Sequence, residues 1–151
     1  MTDDTRAVVL ASGGMDSATA AYEAQTRGYD DLYLLHTSYG QNTEDREYEC
    51  ASALADHVDA ADFLHVETGH LTQIGDSSLT DDAMAVEDAD TDSDEIPTSY
   101  VPFRNANLLS MAVSYAEAND CGAVFIGAHS EDFSGYPDCR PAFFEAFQRG
   151  V

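Results

Sequence analysis

The chain has 151 residues, and 29 Asp and Glu stand against six cations, every one of them Arg, for a formal net charge of -23. Without Lys there is neither a GxxxxGK[ST] phosphate loop nor a Schiff-base lysine. So acidic a surface repels polyanions, which argues against nucleic-acid binding through a basic patch. In chain order, Ala7-Val8-Val9-Leu10 is a short apolar run that reads as a buried strand and leads into Ala11-Ser12-Gly13-Gly14. Ser17 to Arg27 is Ala-rich, ends at Gly28 and reads as a helix. Leu32 to His36 is a second strand, and Thr43 to His57 a second helix, with Tyr48, Ala51, Leu54 and Ala55 at helical spacing and acids in its first turn. Phe63 to Val66 is a third strand. Asn105 to Asn119, with Leu108, Leu109, Ala112, Tyr115 and Ala116 on one face, is a helix. Ala123 to Ile126 is a fourth strand stopped by Gly127, and Pro141 to Phe147 opens another helix with Pro at an early position.

Strands alternating with helices predict an α/β fold, a Rossmann-like parallel sheet flanked by helices. The length suits one domain, able to bury about two-thirds of its unfolded surface. Thr68 to Thr98 breaks the alternation. It is read as an exposed insertion, most acidic over residues 80–96. Cys50, Cys121 and Cys139 are odd in number and widely spaced, so they form neither a disulfide framework nor a CxxC zinc knuckle. The N-terminal residues have no basic segment and no long apolar run, so no signal peptide or membrane span is expected, and the reading is cytoplasmic. The last helix has barely begun at Gly150-Val151, and the chain is expected to be a fragment of a longer one.

The acids are spread along the whole sequence, often in pairs such as Asp3-Asp4 and Asp81-Asp82. In dilute buffer such a surface repels itself, whereas in molar salt the Debye length falls to ~3 Å and the repulsion fades. Missing Lys with abundant Asp resembles the cytosolic proteins of salt-accumulating archaea.

Ser12-Gly13-Gly14-Met15-Asp16-Ser17 lies directly between the first strand and the first helix. In a parallel sheet the ligand crevice lies beyond the carboxyl ends of the strands, and the helix turns its free N–H groups and positive end toward it. Gly13 and Gly14 let the backbone approach an anion closely, and Ser12 and Ser17 add hydroxyls. Asp16 is read either as orienting Mg²⁺ or as a helix cap.

SGGMDS resembles the SGGxDS pyrophosphate loop of the PP-loop ATP pyrophosphatase superfamily, whose members adenylate a substrate oxygen and use no Lys there. Ser38-Tyr39-Gly40-Gln41, Ser77-Ser78-Leu79-Thr80, Ile96 to Asn105 and Gly127 to Arg140, with its DFSGYPDCR run, together resemble the QueC family of 7-cyano-7-deazaguanine synthases along nearly the whole chain. The resemblance implies a PP-loop nucleotide-binding domain over 1–151. It also implies conversion of 7-carboxy-7-deazaguanine and ammonia, with ATP and Mg²⁺, into 7-cyano-7-deazaguanine for queuosine or archaeosine. The rivals are another PP-loop enzyme, such as a tRNA-thiolating or amide-forming ligase, and a non-catalytic ATP-binding module. That family also carries a structural Zn²⁺ on four cysteines of a C-terminal segment. No zinc ligand is transferred to this chain, and the family's own would lie beyond residue 151. The partners expected are these small molecules, with no nucleic acid and no membrane, and a homodimer is compatible with the reading.

The resemblance puts the nucleotide on Leu10, Ala11, Ser12, Gly13, Gly14, Met15, Asp16, Ser17, Ala18, Thr19 and Ala20. Substrate and catalytic candidates are Arg104, Asn105, Asp132, Phe133, Tyr136, Asp138 and Arg140, together with Asp16. Arg104 and Arg140 are read as clamps for phosphate or carboxylate, or as ion-pair partners of nearby acids. Asp132 and Asp138 are read as acceptors for the base edge or as turn residues, and Phe133 and Tyr136 as stacking or core rings. His36 and His65 are read as structural.

Overall fold

The computed structural model describes residues 3–40, 43–75, 102–128 and 136–151. Gln41, Ser77–Thr80, the acidic 80–96 stretch, Ile96 to Val101 and His129 to Gly135 with Asp132 and Phe133 lie outside the described residues.

Four strands form one sheet: β1 (Asp3–Leu10), β2 (Asp31–Ser38), β3 (Asp62–Glu67) and β4 (Cys121–Phe125). Their order is β3-β2-β1-β4 and every pairing is parallel. The cause is visible in the sequence. Apolar β1 is flanked on both sides and buries Ala7, Val8 and Val9 completely, as the central strands of two-faced parallel sheets do.

Helices α1 (Met15–Thr26) and α2 (Glu44–His57) cover one face of the sheet. There Ala20, Ala21 and Ala24 of α1 and Ala51, Leu54 and Ala55 of α2 pack on Ala7, Val9, Leu32 and Leu34. The Ala-rich stripe of α1 has no bulk to hold it off the strands, which brings its first turn close to the sheet. On the other face α4 (Arg104–Ala118) lays Ala112, Tyr115 and Ala116 against Val8 and Leu35. Tyr115 donates its hydroxyl to Asp62. Burial pushes this phenol well above the usual range, and the neighbouring carboxylate pushes it further.

A short helix, α3 (Gly69–Ile74), corrects the expectation of an insertion beginning at Thr68. Thr68 and Leu71 are buried, and the Thr68 N–H continues the β2–β3 pairing onto Ser38 O at 2.7 Å. One buried leucine in six residues is too weak a period to read as a helix from sequence. A 3-10 turn (Pro137–Cys139) leads into α5 (Pro141–Arg149), none of whose residues is buried. Phe143 of α5 meets Phe103 edge-on at 5.9 Å between ring centres.

Candidate functional site

β1 sits between β2 and β4, so the chain leaves it in opposite directions, and the crevice of an open α/β sheet forms at such a switch point. A cleft of about 410 Å³ lies there, at the carboxyl ends of β1, β2 and β4 and beside the start of α4, a size usual for small-molecule sites.

On one side the cleft is bounded by the loop from β1 to α1. Gly13 has φ +89°, and a Cβ on it would lie 2.5 Å from the Glu47 carbonyl oxygen of α2. Both the conformation and the close approach therefore require glycine. The loop is tied internally: buried Ser17 donates its hydroxyl to Gly14 O at 3.0 Å, Ser12 Oγ donates to Ser17 Oγ at 3.4 Å, and the Gly14 N–H donates to Ser12 Oγ at 3.4 Å. From below, His36 Nδ1 donates to the Ala11 carbonyl at 2.6 Å, which fixes the ring's tautomer and the root of the loop. Gly14 is the N-cap of α1 and gives no side-chain cap. The positive end of the helix is thus turned to the loop without a built-in counter-charge on the cap residue. A Cβ on Gly127, just after β4, would lie 2.5 Å from the Asp16 carbonyl carbon. The chain after β4 is in this way pressed against the first turn of α1.

The opposite side is assembled from three separated segments. Phe103 takes a left-handed φ of +55° and turns the chain into α4, which has no side-chain cap of its own. Asp138, from the 3-10 turn, supplies one: its Oδ2 accepts the Ala106 N–H at 3.1 Å, and the residue is only 1% exposed. Asn105 Nδ2 donates to Asp138 O at 3.2 Å and to Cys139 Sγ at 3.1 Å. Arg104, the first residue of α4, donates Nη1 to the hydroxyl of Tyr39 at 2.5 Å, and its guanidinium carbon stands 5.5 Å from the centre of that ring. Burial raises the Tyr39 pKa against the opposing pull of Arg104, so the residue is a neutral phenol. Among the described residues lining the cleft, Arg104 is the one cation and Glu47 the one carboxylate.

A parallel sheet whose glycine loop meets a helix end at the switch point is shared by several nucleotide-binding families, and comparison with known proteins decides between them. A profile described as "Queuosine biosynthesis protein QueC" matches residues 6–151. The chain belongs to the QueC family. It is 96% identical over 148 residues to the 7-cyano-7-deazaguanine synthase of Haloarcula marismortui, covering 98% of this chain and 64% of that protein. The protein of the same name from Halobacterium salinarum is 76% identical over 146 residues, covering 97% of this chain and 63% of the relative. That of Chlorobium limicola is 51% identical over 147 residues, covering 97% and 64%. The chain therefore spans somewhat less than two-thirds of the length of these QueC relatives.

Of the residues expected to hold nucleotide, Leu10, Ala11, Ser12 and Ser17 line the cleft. Asp16, Thr19 and Ala20 border an adjoining hollow on the other side of the start of α1, floored by Val124 to Ala128. Met15 is 82% exposed. The capping alternative for Asp16 is corrected: α1 begins two residues earlier than the pattern suggested, so Asp16 is the second helical residue and stands in the first turn, not at the cap. Arg104, Asn105 and Tyr136 line the cleft. Arg140 is exposed at the head of α5 and is not among the described lining residues. Asp138 accepts an α4 N–H, is 1% exposed and is not among the described lining residues.

Sequence reasoning assigned no role to Tyr39, Thr37 or Glu47, all of which line the cleft. Tyr39 had a usable signal, because it directly follows a strand at its carboxyl end. Glu47 had none, since it reads as one more acid on an acidic helix. Among the described residues no three His, Cys, Asp or Glu side chains gather into a metal site. Cys50 is exposed on α2, Cys121 is buried in β4 and Cys139 is in the 3-10 turn, so they do not fit a zinc centre. No helix among the described residues is long and apolar enough to cross a membrane.

Proposed function

We propose that this chain is the ATP-binding part of an enzyme that makes 7-cyano-7-deazaguanine from 7-carboxy-7-deazaguanine, ammonia and ATP, in the cytoplasm of a salt-adapted cell. The reading rests above all on the glycine loop, which turns an uncapped helix end into a cleft whose described lining has a single cation. An anionic phosphate chain suits that helix end, and backbone N–H groups supply the contacts that a Lys supplies elsewhere. Asp16, a carboxylate in the first turn of α1, is the residue that would hold Mg²⁺. When bound, Mg²⁺ would neutralise phosphate charge that this acidic protein cannot.

In this reading a carboxylate oxygen of the base attacks the α-phosphorus of ATP and pyrophosphate leaves. Ammonia then displaces AMP to give the amide. A second ATP activates the amide oxygen, which departs with AMP and leaves the nitrile. The protein contributes position and fixed charge: the loop holds the phosphates, Arg104 holds an oxyanion, and the apolar floor of Leu10, Ala11 and Leu35 keeps water from the reacting atoms. Arg140, Asp132, Phe133 and Tyr136 belong to the substrate side of this proposal.

The test is pyrophosphate release measured in molar KCl, where the surface charge is screened. Release that requires both 7-carboxy-7-deazaguanine and ammonia supports the reading. Release driven by tRNA and a sulfur donor, or a chain that does not bind Mg-ATP, overturns it.

A further inference from the structure

In a chain with 29 acids and six cations, the expected fate of an arginine is an ion pair. Arg6 and Arg27 follow that expectation, with Asp3 and Asp31 beside the first and Glu23 beside the second. Arg104 does not: its contacts among the described residues are the hydroxyl and the ring face of one tyrosine. We propose that Tyr39 is a positioning residue that holds Arg104 ready for an oxyanion in the cleft, a phosphate or a carboxylate; this rests on the functional reading above.

The guanidinium has five N–H donors in a rigid fork. One nitrogen is engaged by the Tyr39 oxygen at 2.5 Å, and the ring 5.5 Å away lies within cation–π reach. Two contacts from a single side chain fix both the place and the tilt of the fork, and no other described residue takes up its remaining donors. A carboxylate in the place of Tyr39 would hold the arginine as well, but it would also cancel the charge an anionic ligand needs. A phenol holds it and leaves the charge intact, and burial keeps Tyr39 in the phenol form. Glu47, the carboxylate of the described lining, accepts the Thr43 hydroxyl at 2.8 Å.

Both ends of the arrangement are anchored. The Tyr39 carbonyl accepts the Thr72 hydroxyl of α3 at 2.5 Å, and α3 is rooted by buried Thr68 and Leu71. On the other side, Asp138 and Asn105 tie the first turn of α4 to the 3-10 turn. The side-chain freedom that a ligand would have to remove from a loose arginine is thus removed on folding. Short-range contacts of this kind also persist where molar salt screens longer-range attraction.

Titration calorimetry in molar KCl tests this on the wild-type chain, Tyr39→Phe, Arg104→Gln and the double variant. Mg-ATP and 7-carboxy-7-deazaguanine are the two probes, used separately. The expected result is that Arg104→Gln weakens one probe strongly and Tyr39→Phe weakens the same probe by about tenfold. The double variant should be no weaker than Arg104→Gln alone, with every variant still melting cooperatively. The probe affected tells whether the oxyanion is phosphate or carboxylate. Losses that simply add, or a Tyr39→Phe chain within about twofold of wild type for both probes, overturn the positioning role and leave the functional reading standing. A wild-type chain that binds neither probe overturns the functional reading together with the role built on it.

Discussion

The two sides of the cleft are built in different ways. The β1–α1 side is one continuous stretch, Leu10 to Ser17, shaped by glycine conformation and hydrogen bonds within about five residues of each other. The α4 side joins Tyr39, Arg104 with Asn105, and Asp138 with Cys139, residues 32 to 65 positions apart. A local turn is specified by its own residues, whereas a side assembled across the chain exists only once the sheet has brought its parts together. Loss of one contact should therefore disable the first side by strain and the second by disassembly.

The largest effect is expected on the local side. Gly13→Ala meets both a left-handed backbone and the Glu47 carbonyl, and should cost about 3 kcal/mol in denaturant melts and abolish Mg-ATP binding. Next is Asp138→Ala, which uncaps α4 from a buried position. It should cost about 2 kcal/mol, with Asp138→Asn recovering part of this because an acceptor oxygen remains. If the Ala variant bound Mg-ATP and the base as tightly as wild type, the idea of an assembled side would fail.

Tyr115→Phe probes α4 away from the cleft and should cost about 1 kcal/mol. It also carries a pH signature. The phenol's folded pKa lies above the ordinary 10.0, so its contribution is complete below pH 10 and is lost as pH rises toward the folded value. Melting temperature should fall with rising pH in wild type above pH 10, and less steeply in the Phe variant. Tyr39, also raised by burial, acts with the same sign. The smallest effect on stability is expected of Asp16→Asn, exposed in the first turn of α1. Its melts should stay within about 0.5 kcal/mol of wild type. The affinity for ATP should fall with Mg²⁺ present and change little without it.

Much of this was legible in the amino-acid order. Among the described residues, the four strands, four of the five helices and the position of the glycine loop follow from apolar runs, helical spacing and Gly or Pro at element ends, because each is a property of neighbours in the chain. What escaped was α3, with its one buried leucine, and the partners of Asp138, Asn105 and Arg104. Asp138 read as a base acceptor or a turn residue; it caps a helix that begins 34 positions before it. No local pattern announces such a bond, because its geometry is set by where β4 ends relative to α4.

The sequence alone determined that a glycine loop would join the end of β1 to a helix start, since a short apolar run, two glycines and an Ala-rich stretch follow one another directly in the chain. Only the tertiary structure decided that, among the described residues, Arg104 would meet a tyrosine and not a carboxylate. With 29 acids available, its partner depended on which side chain the β2–β1–β4 sheet order carried to the same edge.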